Sequence, residues 1–69
     1  MKKEQARLLM LCEVVMWDNN PEDTGTVTNI EGQLVTIDWN DVGPLEYDTE
    51  YDHWAPITKW QPTPQEKQQ

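Results

Sequence analysis

The sequence predicts an all-β domain, and three observations carry that prediction. Gln33 to Trp39 alternates, with Val35, Ile37 and Trp39 apolar and Thr36 and Asp38 polar. That is the period of two expected of a strand with one buried face. Turn-forming clusters at 18–25, 31–32 and 40–44 divide the middle of the chain into short runs rich in Val, Ile, Thr and Trp, the residues that favour strands. Finally, 69 residues of which 36% are hydrophobic can build one small core and no second domain. Such a core leaves no room for an enclosed substrate pocket.

The elements follow in chain order. Met1 to about Leu9 is rich in Lys, Glu, Gln, Ala, Arg and Leu, a helix-forming composition too short to be stable alone. A helical turn or extended arm is expected there, leading into a first strand over Leu11 to Trp17. Asp18 to Gly25 reads as a loop, since Asn, Asp, Pro and Gly each favour turns. Thr26 to Ile30 is the second strand. Glu31-Gly32 closes a tight hairpin, because Gly accepts the positive φ such turns require. Gln33 to Trp39 is the third strand and Asn40 to Pro44 the next turn. Leu45 to Asp48 is a short fourth strand, and Thr49 to His53 an irregular or 3₁₀ segment. Trp54 to Ile57 is the last strand, which Pro56 confines to an edge. The polar, Pro-containing end from Gln61 has nothing to bury and is expected to be disordered. The expected organisation is an N-terminal, partly helical arm over 1–11, a five-stranded barrel over 12–57 and a tail over 58–69.

Charge divides the chain. Thirteen Asp and Glu stand against five Lys and Arg, a net −8. From Leu8 to Thr58 there are eleven carboxylates and no Lys or Arg. Binding to a phosphate backbone needs cations to displace counterions, so direct nucleic-acid binding is not expected. An anionic body favours basic partners and is repelled by anionic membrane, although net charge also serves simple solubility. The apolar run Leu8 to Cys12 is five residues long, too short for a secretory or membrane-spanning segment. A cytoplasmic protein is expected.

Composition also narrows the chemistry. Ser and Phe are absent, and Cys12 and His53 are single. No internal disulfide, four-ligand zinc site or Ser-His-Asp set can be assembled. Cys12, within an apolar run, reads as a buried inert thiol. Asp18, Asn20, Glu22 and Asp23 place oxygens at alternate positions, as calcium loops do. Asp23 and Asn29 occupy the places where such a loop needs Gly and a bidentate Glu, so an acidic, solvated loop is the better reading. His53 has no nucleophile or pocket beside it in sequence. Asp48, Glu50 and Asp52 alternate in a polar segment that faces water. No metal, no cofactor and no enzymatic activity is expected, because no set of roles converges.

The run Gly25 to Trp39, followed by Gly43 and Tyr47, resembles the central hairpin of SH3-like barrels, most of all those of the Tudor, KOW and Mib/Herc-type families. There a Gly opens the second strand, valines alternate across the hairpin, and a Trp or Phe beside an acidic residue ends the third. Asp38-Trp39-Asn40-Asp41-Val42-Gly43 matches that ending. The resemblance covers about Cys12 to Ile57 and implies a small five-stranded SH3-like barrel. The basic surface of nucleic-acid-binding KOW domains is missing, so that function is not implied.

Tudor-type barrels use aromatics near strand ends to cage a methylated Lys or Arg, by cation–π attraction that neighbouring carboxylates reinforce. The residues of this chain that could serve a partner in that way are Trp17, Asp38, Trp39, Asp41, Tyr47, Asp48, Tyr51, Asp52 and Trp54. A chain without Phe must also build its core from Trp, Leu, Ile and Val, so core packing is the first reading of these rings. A cage and a looser peptide-binding groove are the alternatives. The expected function is a small, acidic, non-enzymatic interaction module for a basic protein surface or peptide. The alternatives are an inhibitor that mimics nucleic-acid charge, of phage or mobile-element origin, and an accessory subunit docked through its apolar N-terminal run.

Overall fold

The computed structural model describes residues 1–51 and 53–60. One short helix, α1 (Lys3–Ala6), precedes five strands: β1 (Val14–Trp17), β2 (Asn20–Glu31), β3 (Leu34–Trp39), β4 (Gly43–Asp48) and β5 (Ile57–Lys59). They make a single antiparallel sheet in the order β4-β3-β2-β1-β5. The all-β expectation holds, and this strand order is compatible with an SH3-like small β fold. The long β2 organises the sheet. Its first half pairs with β1, as Val15↔Gly25 shows, and its second half with β3, as Ile30↔Val35 shows. A bulge between Val27 and Asn29 shifts the register in the β2–β3 ladder, and bulges bend and twist the strand that carries them.

Three turns are closed by residues in the left-handed region. Asp18 and Asn19 both have φ +56, a conformation Asn and Asp tolerate better than other residues with a side chain. They join β1 directly to β2, with Trp17↔Asn20 as the flanking pair. The expected loop over 18–25 is therefore only these two residues, and β2 starts at Asn20 rather than Thr26. The polarity of Asn20 to Glu22 marks an exposed strand end, not a loop. Gly32, at φ +61, closes the β2–β3 hairpin, and Gly43, at φ +85, opens β4. The last strand lies further along than expected. It begins at Ile57, and Thr58 and Lys59 pair with Met16 and Val15. The disordered end expected for 61–69 lies outside the described residues.

The core sits on the sheet face to which the alternating positions point. Val15, Val27, Val35, Ile37 and Trp39 are buried there, joined by Trp54 and Ile57 and, from the N-terminal segment, by Ala6 and Leu9. Those first residues are thus packed against the sheet. The Met1 amino group donates to the Trp54 carbonyl at 2.7 Å and to the Ile57 carbonyl. The Lys2 N–H donates to Gln5 Oε1 at 3.0 Å, closing the first helical turn. Arg7 Nη2 lies 3.3 Å from Glu50 Oε2.

Cys12 corrects the expectation of a buried thiol: it is exposed. The chain turns at Leu11 and Cys12, which takes φ +72, and the Cys12 N–H is spent on the Val27 carbonyl at 2.8 Å. Only Leu9 of the apolar run reaches the core, while Leu8, Met10 and Leu11 remain exposed. Thr49 is the buried polar residue. Its hydroxyl and its N–H both donate to the Gln33 carbonyl, at 3.0 and 2.9 Å.

Candidate functional site

One end of the sheet gathers aromatic rings, and a glycine makes that possible. Trp39 ends β3 opposite Gly25 of β2, and Gly25 faces Val15 on β1. A Cβ placed on Gly25 would stand 2.7 Å from Trp39 Cε3 and 2.5 Å from Ile37 Cγ2. The Trp39 indole and Ile37 therefore occupy the space a side chain would take. Trp17, two residues beyond Val15 on β1, meets Trp39 edge-on, with ring centroids 6.0 Å apart and planes at 88°. Tyr47 of β4 also meets Trp39, at 6.5 Å and 73°. Trp39 Nε1 donates to Tyr47 Oη at 3.0 Å. That bond satisfies the indole N–H, which is costly to leave bare inside a protein.

These rings wall an open groove of about 230 Å³, lined by Trp17, Asp23, Trp39, Asp41, Val42, Leu45 and Tyr47. Two backbone features deliver its carboxylates. In the β1–β2 ladder the register jumps from Met16↔Thr24 to Trp17↔Asn20, so Pro21, Glu22 and Asp23 have no partner on β1. Pro21 suits such a stretch because it has no N–H to pair. The jump leaves Asp23 at the rim beside Trp17. Asp41 and Val42 belong to the β3–β4 turn. Asn40 steadies this corner by donating its backbone N–H to the Thr24 carbonyl at 3.0 Å and its Nδ2 to the Glu22 carbonyl at 3.2 Å.

The expected partner-binding residues divide accordingly. Trp17, Trp39, Asp41 and Tyr47 meet in the groove. Asp38 is exposed and lies between Ile37 and Trp39, so it points to the opposite face of β3. Asp48 is engaged elsewhere, accepting from Gln33 Nε2 at 3.0 Å and from the Glu50 N–H at 2.8 Å. Trp54 is wholly buried and donates its Nε1–H to the Asp48 carbonyl at 3.2 Å, so it serves the core. Tyr51 is exposed and packs beside His53, with ring centroids 6.2 Å apart. His53 in turn stands 5.5 Å from Tyr47. Asp52 lies outside the described residues.

Asp23, Val42 and Leu45 line the groove without having been expected there. Leu45 follows the alternation of β4 and Val42 is an apolar residue in an otherwise polar turn, so both left a weak sequence signal. Asp23 left none, since only the register jump brings it to the rim.

Among the described residues no Lys or Arg lines the groove. Two described cations are matched elsewhere, Arg7 by Glu50 at 3.3 Å and Lys59 by Glu13 at 3.2 Å. Glu13 also accepts the Met10 N–H at 2.8 Å. That hydrogen bond is the main cause that holds its carboxyl below the usual carboxylate range; burial opposes it, and the hydrogen bond and charge of the Lys59 ammonium add to the lowering. The Met1 amino group is shifted down by burial. Among the described residues no three His, Cys, Asp or Glu side chains are placed to hold a metal ion.

No family model, curated protein or solved structure matches this chain.

Proposed function

We propose that this domain is a non-enzymatic interaction module whose Trp17–Trp39–Tyr47 groove binds a basic peptide or protein surface. The observation that carries the reading is the meeting of an aromatic wall with two acidic residues, Asp23 and Asp41, at a groove that no Lys or Arg among the described residues lines. Aromatic faces attract cations through the ring quadrupole, and carboxylates at the rim add charge and select its sign. The net charge of −8 would steer a basic partner toward the domain in a salt-dependent way. The residues present offer contact area and charge rather than an acid, base and nucleophile in converging roles.

The test is titration with a Lys/Arg-rich peptide. Saturable binding should weaken with added salt and be lost in Trp17→Ala, with the variant still folded. Trp17 is the ring to remove because it is 39% exposed, whereas Trp39 is 4% exposed and holds the core. Unchanged affinity in folded Trp17→Ala would defeat the assignment of the groove.

A second reading has its own support. Leu8, Met10 and Leu11 are 73%, 67% and 58% exposed, and clustered exposed apolar residues mark contact surfaces more often than isolated ones do. An accessory subunit docked through this segment would lose its complex in Leu8→Lys/Leu11→Lys and keep it in Trp17→Ala.

A further inference from the structure

We infer that the residue seated in this groove is an arginine, its guanidinium lying flat on the Trp17 indole while Asp23 and Asp41 accept its N–H groups. This inference rests on the reading of the groove as a site for a basic ligand, and it names which basic group.

The ring geometry favours a planar cation over a spherical one. A quaternary ammonium gains its attraction from being surrounded by several ring faces and has no N–H to donate. This groove does not offer several faces. Trp39 is only 4% exposed, and its indole N–H is tied to Tyr47 Oη at 3.0 Å. Trp39 stands at 88° to Trp17 and 73° to Tyr47, edge-to-face contacts that add to its burial. Trp17, at 39% exposure, is the ring with a substantial free surface.

One free face suits a guanidinium. It is flat, stacks on a single aromatic surface and carries five N–H donors in its plane. Donors at the edge of a stacked guanidinium need acceptors, and Asp23 and Asp41 are among the residues that line the groove. Val42 and Leu45 supply apolar surface for the methylene stem, as long basic side chains require. The groove's volume of about 230 Å³ is below the about 300–1,000 Å³ of pockets that enclose a small molecule. It has room for one long side chain lying open to solvent.

The experiment uses the full chain and five peptides, Gly-Gly-X-Gly-Gly amides, with X arginine, lysine, trimethyl-lysine, symmetric dimethylarginine or citrulline. Binding is read from the indole N–H resonance of Trp17 at low salt. Arginine should bind most tightly. Citrulline, which keeps the shape and loses the charge, should be weaker by about tenfold or more, as expected on losing a charge-assisted hydrogen bond. Trimethyl-lysine and dimethylarginine should also be weaker, because methylation removes donors. In Asp23→Asn/Asp41→Asn the margin of arginine over trimethyl-lysine should shrink, whereas a general loss of negative charge would weaken both alike.

Trimethyl-lysine or dimethylarginine binding as tightly as arginine would overturn the inference and leave the basic-ligand reading standing. So would an unchanged arginine margin in the double variant. If none of the cationic peptides moves the Trp17 resonance, the basic-ligand reading fails and the inference fails with it.

Discussion

Replacing Gly25 with alanine adds one methyl group where Ile37 and Trp39 already fill the space. The new Cβ would lie 2.5 Å from Ile37 Cγ2, 2.7 Å from Trp39 Cε3 and 2.9 Å from Trp39 Cδ2, all inside van der Waals contact. Neither neighbour can retreat easily. Ile37 is wholly buried, and Trp39 is held by Tyr47 through its indole N–H. Forcing a methyl group into a packed core costs about 1–3 kcal/mol. Domains of this size have only about 3–5 kcal/mol to lose, so Gly25→Ala should remove about a fifth of the stability or more. Each kcal/mol lowers the midpoint of a domain of this size by about 4–8 °C. Thermal unfolding followed by circular dichroism measures it. Because the displaced ring is a wall of the groove, the variant should also broaden or shift the Trp17 and Tyr47 resonances. Gly32→Ala is the contrasting case: nothing lies within 4 Å of its added Cβ, so a fall in its midpoint measures backbone strain at φ +61 and not a clash. An unchanged midpoint in Gly25→Ala would refute the argument that Trp39 is seated on Gly25.

Three further outcomes are expected. Tyr47→Phe takes away the acceptor of the Trp39 indole N–H, and the buried donor left behind should cost about 1–3 kcal/mol in urea unfolding, with no loss of ring area. Glu13 is held below the usual carboxylate range, so its contribution to stability is present above that range and is lost as pH falls through its folded value. Glu13→Gln should flatten the acid limb of a midpoint-against-pH curve and leave little change in its slope above pH 6. Thr49→Val keeps the shape but removes the hydroxyl that donates to the Gln33 carbonyl at 3.0 Å. It should cost about 0.5–1.5 kcal/mol by the same urea measurement, a modest sum because the Thr49 N–H still reaches that carbonyl.

The parts of the fold legible in the sequence are those where side-chain chemistry and backbone demand agree. β3 was plain because Val35, Ile37 and Trp39 alternate toward a single buried face. The β2–β3 hairpin was plain because Gly32 supplies the positive φ. The extent of β2 was hidden. Its first residues are polar and exposed, and composition cannot separate a solvated strand end from a loop. The placement of β5 was hidden for a related reason. Trp54 is the more conspicuous apolar residue, but it packs as a core plug just before the strand, and pairing with β1 falls on Ile57 to Lys59. The exposure of Cys12 could not be read either, since an apolar run does not announce that the chain turns within it.

The site was legible in its rings and only half legible in its charges. Trp17, Trp39 and Tyr47 sit at strand positions that alternation points toward one face, so their meeting follows from the pattern. Asp41 follows Trp39 closely enough to share its end of the sheet. Asp23 reaches the rim only through the register jump opposite Met16 and Trp17, which no local pattern encodes. Asp38 and Asp48 stand next to aromatics in sequence but are directed elsewhere. Adjacent residues in a strand point to opposite faces, so sequence proximity is a poor guide to a shared site.

The four tryptophans give the most direct test of where a partner binds. In an ¹⁵N-labelled sample each indole N–H reports its own surroundings, and Trp54, wholly buried beneath the sheet, serves as an internal control. On titration with a Lys/Arg-rich peptide, the Trp17 and Trp39 indole signals should move together and saturate, while Trp54 and Trp60 hold still. Saturable binding that leaves Trp17 and Trp39 unmoved and shifts Leu8 to Leu11 instead would contradict the groove and place the partner on the N-terminal segment.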